Sequence, residues 1–389
     1  DAVVANPPYI GSKYHTPILK KFLKDHYTGY EKDVFSAFID RDLAFSKPHG
    51  RLGFMSPFVW MFLSSHEHLR TRLINRETIS SLVQLEYSGF EGATVPICTF
   101  TLQKGRVAGQ AGCYVRLSDF RGSENQGPKT LEAIRNRDCG WLFEAAQDEF
   151  RKIPGSPVAY WVSGRVRQIF EEATVLGTLV EAAVGLQTGD NDRFVRLWPE
   201  VSLGRCGYGL TSRADADASG MKWFPFNKGG EFRRWYGNHE HVVNWERDGL
   251  EIRAFGTEDG GRARSRPQNI DRYFSPSVSW SDVTSSFNSF RWYEAGFIHG
   301  NVGHSAFGGE WEWRASLLAY CNTRFIDVVT KLLSPTLHFD IGYFNQLPYA
   351  KLAWTNESRQ LSMSCVTHAR QDWDAYERSW DFQSLPLLT

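Results

Sequence analysis

The pattern that most restricts the fold lies in the first hundred residues, where short apolar runs alternate with segments of helical apolar spacing. "DAVVA" is a short buried strand, and "DVFSAFIDRDLAFSK" carries apolar residues at helical spacing before stopping at Pro48-His49-Gly50. "GRLGFMSP" reads as a strand, "HEHLRTRLIN" as a helix, and "ISSLVQLE" and "VPICTFTLQK" as two further strands before Gly105. Such alternation predicts an α/β domain over about 1–105, with a parallel or mixed sheet covered by helices on both faces.

After residue 105 the pattern degrades into a polar, glycine-rich stretch, a predicted helix around "LFEAAQDEFRKI" and the turn "IPGSP". We read 106–178 as a bridge. From 179 to 389 the chain is rich in Trp, Tyr, Gly and Asn, with many short elements, and it closes on a predicted long apolar helix, "SLLAYCNTRFIDVVTKLLSP". The chain has 389 residues, 42% of them hydrophobic, which supports more than one core. It starts directly on a buried-strand pattern, so a truncated chain is expected.

Lysine plus arginine equals aspartate plus glutamate at 44 each, so any contact with nucleic acid must come from local patches. The six cysteines show no C-x-x-C spacing, which argues against a zinc site or a disulfide framework. They read as reduced thiols of a cytoplasmic protein. No run approaches the roughly 18 apolar residues of a membrane span.

The first strand ends in "NPPYIG". The residue before a proline is pushed out of the α region, so Asn6 and Pro7 are extended at the carboxyl end of a strand, where doubly wound sheets bind ligands. An exocyclic amine on adenine is a poor nucleophile because its lone pair is conjugated with the ring. If its hydrogens donate to the Asn6 side-chain oxygen and to a carbonyl of Pro7 or Pro8, that lone pair can turn toward an electrophile. The prolines hold the carbonyl rigidly and bring no competing N–H. Tyr9 could stack on the base for about 1–3 kcal/mol, provided that the base is turned out of the duplex. For a lone Asn-Pro-Pro, a strand terminator is the plainer reading. A strand before it and Tyr directly after it favour the functional one.

"ANPPYIG", together with the order of the helices and strands after it, resembles the TaqI-type (gamma) DNA methyltransferases that act on adenine N6. The resemblance covers most of residues 1–104. It implies that "GFEGATVPICTFTLQK" supplies a second aromatic to the flipped base, in this register Phe90. By its position alone Phe90 reads better as a core aromatic, and only its place in the ordered set reverses that preference. The resemblance also implies S-adenosylmethionine as cofactor, double-stranded DNA as partner, and a glycine-rich cofactor loop upstream of Asn6. Neither "GTEDGGRARS" nor "GRLGFM" reads as a strand–turn–helix cofactor loop. The chain alone is therefore expected to bind the cofactor weakly and to be inactive.

In the second half, "VEAAVGLQTGDNDRFVRL" resembles the entry to the target-recognition domains of such enzymes, through Gly185, Thr188, Gly189, Asn191 and Phe194. A turn without a ligand and a DNA contact by Thr188 or Asn191 are equally good readings of these residues. "KWFPFNKGGEFRRWYGN" mixes Lys228, Arg233 and Arg234 with six aromatics, a combination suited to phosphates and bases. "GGRARSRPQN" places Arg262, Arg264 and Arg266 in a loop as a local positive patch.

Taken together, the second-half patterns look most like the PglX methyltransferases of BREX phage-defence systems, where other defence proteins are possible partners. The resemblance thus implies a partial Rossmann-like methyltransferase sheet followed by a mixed α+β target-recognition domain. Two other readings stand beside it. One is a DNA-binding module without catalysis. The other is a protein-glutamine methyltransferase, which the long aromatic and basic second half disfavours.

Overall fold

In the computed structural model, residues 2–386 are described except 88, 91–94, 258–259, 285–286, 335–336 and 350–353. Strand β1 (Ala2–Ala5) pairs in parallel with β2 (Arg51–Pro57), placing Ala5 opposite Phe54. β2 runs antiparallel to β4 (Ile97–Gln103), and β4 antiparallel to β3 (Thr78–Gln84). β3 then takes β5 (Ala111–Arg116) in parallel, and β5 takes β6 (Leu142–Ala146) antiparallel. The sheet order is β1-β2-β4-β3-β5-β6.

β1, β2 and β3 therefore share one direction, with β4 reversed between the last two. Parallel neighbours need a crossover, and helices α2 (Val34–Phe45) and α3 (Glu67–Arg76) provide it. The consequence for function is positional. The carboxyl ends of β1 and β3 lie on the same sheet edge, so the segment after Ala5 and the β3–β4 connection emerge there.

α2 and α3 form where the sequence predicts helices, and helix starts here are specified locally. Asp33 caps α2 by accepting from Phe35 N at 3.4 Å, and α1 (Pro17–His26) starts with a Thr16 cap and proline at its first position. Phe35, Ile39 and Leu43 of α2 and Leu69, Leu73 and Ile74 of α3 are buried with Leu52, Phe54, Phe100 and Trp60 in one core. Each contributes roughly 1.5–3 kcal/mol by leaving water. β1 differs, because Val4 is 83% exposed.

The bridge expected at 106–178 is not one. Residues 111–146 supply the last two strands of the sheet and helix α4 (Ser123–Arg135), and the chain divides into compact units at 1–172 and 173–389. The helix expected at 142–153 is instead β6 followed by a 3-10 turn, Gln147–Lys152. The open edge of β5 offers a ladder to Leu142–Ala146, and long-range pairing overrides local spacing. Gln147, fully buried, fixes the exit by accepting from Ile79 N at 2.8 Å and donating to the Glu77 carbonyl at 3.1 Å.

The second unit contains two four-stranded sheets. One has the order β13-β9-β10-β8 (Ile298–His299, Trp223–Asn227, His241–Asn244, Val195–Leu197), the other β12-β11-β14-β7 (Phe290–Tyr293, Ser277–Ser281, Gly303–Phe307, Glu181–Ala183). Buried Asn227 ties them, its amide reaching Ser279 Oγ at 2.7 Å and the Gly303 carbonyl at 3.2 Å.

The long apolar helix expected at 316–335 is two helices, Trp311–Cys321 and Arg324–Leu333. Asn322 turns its side chain to both backbone groups of Phe290, and Thr323 caps the second helix by accepting from Ile326 N. A 19-residue helix, Asn356–Asp374, comes after them; it was not expected, although Thr355 and Ser358 form a capping box at its start. All six cysteines are free. Among the described residues no helix is long and apolar enough to cross a membrane.

Candidate active site

Asn6 directly succeeds β1 and is exposed; Pro7 is buried, Pro8 exposed and Tyr9 half-buried. The Tyr9 hydroxyl lies 2.8 Å from Asn6 Oδ1 and 3.1 Å from the Met55 carbonyl of neighbouring β2. A phenol has one proton, so it donates to one of these acceptors at a time. Burial, then the nearby Cys98 thiol, raises the Tyr9 pKa, so the ring stays a neutral donor. The bond to Asn6 fixes which end of that amide is the acceptor, and Oδ1 keeps a second lone pair. Among the described residues, no hydrogen bond uses the carbonyls of Pro7 or Pro8.

The loop is pinned from behind. Asp33 accepts from Ile10 N at 3.0 Å, the Ile10 carbonyl accepts from Val34 N at 3.2 Å, and His15 Nε2 lies 2.8 Å from that carbonyl. Desolvation raises the Asp33 pKa despite its bonds to Phe35 and Ile10 and the nearby His15. The Tyr9 ring meets Phe35 edge-on at 6.5 Å and 88°. Thus the cap that starts α2 also holds the backbone of the Asn6–Tyr9 loop. The bond from Ile10 N to Asp33 and the placement of the Met55 carbonyl depend on the tertiary fold and have no sequence signal.

Phe90 sits in the β3–β4 connection on the same sheet edge and is 44% exposed, which sets it apart from a core aromatic. In β4 the fully buried Cys98 thiol is pushed up to about 12 by burial, and His66, just before α3, down to about 4 by burial and then Arg70. Both are neutral packing groups.

The residues expected to meet DNA fall into three places. Thr188 is buried, and its hydroxyl donates to Asn191 Oδ1 at 2.6 Å. The motif around them is explained by packing. A Cβ on Gly185 would lie 1.7 Å from the His299 carbonyl oxygen; Gly189 has φ +75° and lies against the Arg264 carbonyl; Phe194 is fully buried. Gln187 forms a backbone bridge with Arg266, so the Thr188–Asn191 turn and the Arg262–Arg266 segment are adjacent. Arg262, Arg264 and Arg266 are exposed and form no ion pair among the described residues.

Arg233 and Arg234 are placed differently. Arg233 pairs with Asp372, donates to the Tyr236 carbonyl at 3.1 Å and lies over Trp373, and Arg234 pairs with Asp327 at 2.6 Å. Both tie this segment to the closing helices. Lys228 is half-buried beside His241, whose pKa burial and then this lysine push down to about 4.

Residues 1–90 match the family described as Eco57I restriction-modification methylase. The whole chain is similar to the adenine-specific methyltransferase PglX of Lacticaseibacillus casei (strain Zhang), 34% identical with 99% of this chain and 32% of that protein covered. It is also 32% identical to the adenine-specific methyltransferase BrxX of Escherichia coli O9:H4 (strain HS), over 100% of this chain and 30% of that protein. The chain thus spans about a third of the length of these curated relatives. In fold it resembles the type IIL restriction-modification enzyme MmeI, solved in complex with DNA, with TM-score 0.60, 11% identity, and coverage of 98% of this chain and 50% of that one.

Proposed function

We propose that this chain, similar along its whole length to adenine-specific methyltransferases, carries the amine clamp and the DNA-specificity region of a site-specific DNA adenine-N6 methyltransferase of phage defence. The observation that carries the reading is the Asn6–Tyr9 loop at the end of β1, with Asn6 Oδ1 oriented by the Tyr9 hydroxyl and two proline carbonyls that have no hydrogen-bond partner among the described residues.

The adenine amine donates one hydrogen to Asn6 Oδ1 and the other to the carbonyl of Pro7 or Pro8. These bonds draw the nitrogen toward tetrahedral geometry and free its lone pair. Tyr9 stacks on one face of the flipped base and Phe90 covers the other. No general base is needed from this loop, because the positive charge that develops on nitrogen makes its proton acidic. Arg262, Arg264 and Arg266 contact phosphates in double-stranded DNA, with Lys228 as a further candidate.

The methyl donor implied by the similarity is S-adenosylmethionine. The described residues do not fit it: Gly50 precedes β2 and Gly53 lies within that strand, paired with Val4, and Gly260 and Gly261 lie between the helix Glu246–Ala254 and the arginine segment, with no strand before them. This loop is therefore assigned to the acceptor amine alone.

The test is Asn6→Ala in the full-length protein. Methylation of a cognate duplex should be lost while DNA affinity in a gel-shift titration changes little. Retained methylation would remove the assignment.

A further inference from the structure

The turn that leads to Phe90 is held by a side chain from outside its own loop. β3 and β5 run parallel, with Gln84 opposite Arg116, so their carboxyl ends emerge together and the segment from Leu117 into α4 begins on the edge that carries Phe90. The pairing of the two strands closes where Leu117 N donates to the Gln84 carbonyl at 2.9 Å. Glu86 lies beyond the strand, and its N–H donates at 3.0 Å to Gln126 Oε1 of α4, 40 positions away in the chain. Gly89 N then donates to the Glu86 carbonyl at 2.9 Å, and Phe90 follows directly.

Gln126 is buried, and its amide uses its oxygen and both of its N–H groups. Besides accepting from Glu86, it donates through Nε2 to the Phe120 carbonyl at 2.6 Å and to the Gly122 carbonyl at 2.9 Å. One side chain therefore braces three main-chain groups of two separate loops. The two donations close the entry to α4, which is a local task; the third bond holds the loop that carries Phe90. The approach is tight. A Cβ on Gly89 would lie 2.9 Å from the Glu86 carbonyl oxygen and 3.2 Å from Gln126 Cδ, so glycine lets the turn rest on this side chain.

The brace is itself anchored. Ala133 of α4 is fully buried in one cluster with Leu117 and Val115. Phe120 meets Trp141 edge-on at 5.0 Å, and Trp141 Nε1 donates to the Lys129 carbonyl at 3.1 Å. The Lys129 ammonium lies over both rings, at 5.0 Å from Phe120 and 4.8 Å from Trp141. Phe90, by contrast, is 44% exposed, so packing does little to fix its ring. The backbone from which the ring springs must set its place, and that backbone is set by hydrogen bonds to a rigid element.

We propose that Gln126 is a positioning residue for the flipped base: by holding the turn closed between Glu86 and Gly89, it sets where Phe90 stands over the adenine. This rests on the reading of Phe90 as the second stacking aromatic, and it gives Gln126 no contact with DNA or with the methyl donor.

A double-mutant cycle on single-turnover methylation of a cognate duplex by the full-length protein tests it. Phe90→Ala should slow transfer by roughly 5- to 150-fold, the contribution of one stacked base. Gln126→Met, similar in size but without the hydrogen bonds, should slow it by about tenfold alone and by less than about twofold in the Phe90→Ala background, with duplex affinity in gel shifts little changed. A residue that only stabilises the fold would cost the same factor in both backgrounds. Gly89→Ala disturbs the same contact from the loop side and leaves α4 intact, so it should repeat the pattern, and it carries the test if Gln126→Met fails to fold. Fluorescence of 2-aminopurine at the target position should shift in the same direction for all three variants. If Phe90→Ala methylates at the wild-type rate, the stacking role of Phe90 falls and this inference with it. If Phe90→Ala is slow while Gln126→Met and Gly89→Ala are not, or if the cycle is additive, the role of Gln126 alone is overturned.

Discussion

Replacing Tyr9 by Phe and by Ala in the full-length protein separates the two tasks assigned to this residue. The hydroxyl reaches Asn6 Oδ1 at 2.8 Å and the Met55 carbonyl at 3.1 Å, but it has one proton, so Tyr9→Phe removes one bond. A net bond is worth about 1 kcal/mol, and because Asn6 is exposed, water can replace the donor. That converts to at most about a fivefold fall in single-turnover methylation rate. The ring itself, held edge-on by Phe35, remains to stack on the base. Tyr9→Ala removes both tasks, and the stacking alone is worth about 1–3 kcal/mol, so a loss of roughly 5- to 150-fold is expected. Fluorescence of 2-aminopurine at the target position reports base stacking in parallel, and it should be altered by Ala and not by Phe. If Phe proves as damaging as Ala, the hydroxyl acts in the chemistry and the orienting role is wrong. If Ala is as mild as Phe, Tyr9 does not stack.

Three further outcomes are expected. Arg264→Ala with Arg266→Ala should reduce the salt dependence of DNA binding by about one unit of slope for each phosphate no longer neutralised, whereas Arg234→Ala, which breaks the pair with Asp327, should lower the denaturant midpoint and leave the slope unchanged. Gly185→Ala should destabilise the second unit by on the order of 4 kcal/mol, because its Cβ would lie 1.7 Å from a backbone oxygen, while Gly127→Ala, with nothing within 4 Å, should be harmless by near-UV circular dichroism and denaturant unfolding. Burial depresses His66 and His299 to about 4 and His239 to about 3. The unfolded chain therefore binds protons that the folded one refuses, and stability present above about pH 6.5 is lost as pH falls toward 4. Unfolding at pH 5.5 should show about 1 kcal/mol less stability per histidine than at pH 7.5, and His239→Phe should remove one such increment.

How far the sequence could be read depended on the range of the interactions. The strands and helices of residues 1–105 were legible because they carry their own spacing and punctuation: Pro48-His49-Gly50 after α2 and Pro7 after β1. Leu142–Ala146 was misread because its spacing suits a helix, and only the free edge of β5 makes it a strand. The run 316–335 reads as one apolar helix, and the break at Asn322-Thr323 rests on the Asn322 side chain bonding Phe290, more than thirty residues earlier. The arginines show the same division. Arg233, Arg234 and Arg264 look alike in a basic-aromatic sequence, and only the fold decides which of them face a carboxylate.

The sequence by itself determined which groups stand at the end of β1: an amide, two prolines and an aromatic in that order are local facts, and extended backbone before proline is a local constraint. The tertiary structure decided what those residues meet. It set the Tyr9 hydroxyl beside the Met55 carbonyl, Phe90 on the same sheet edge as Asn6, Arg266 beside Gln187, and the Gln126 amide against Glu86 N. Each of these juxtapositions joins segments far apart in the chain, and the energy that selects them comes from burial and ladder pairing, which no local pattern records.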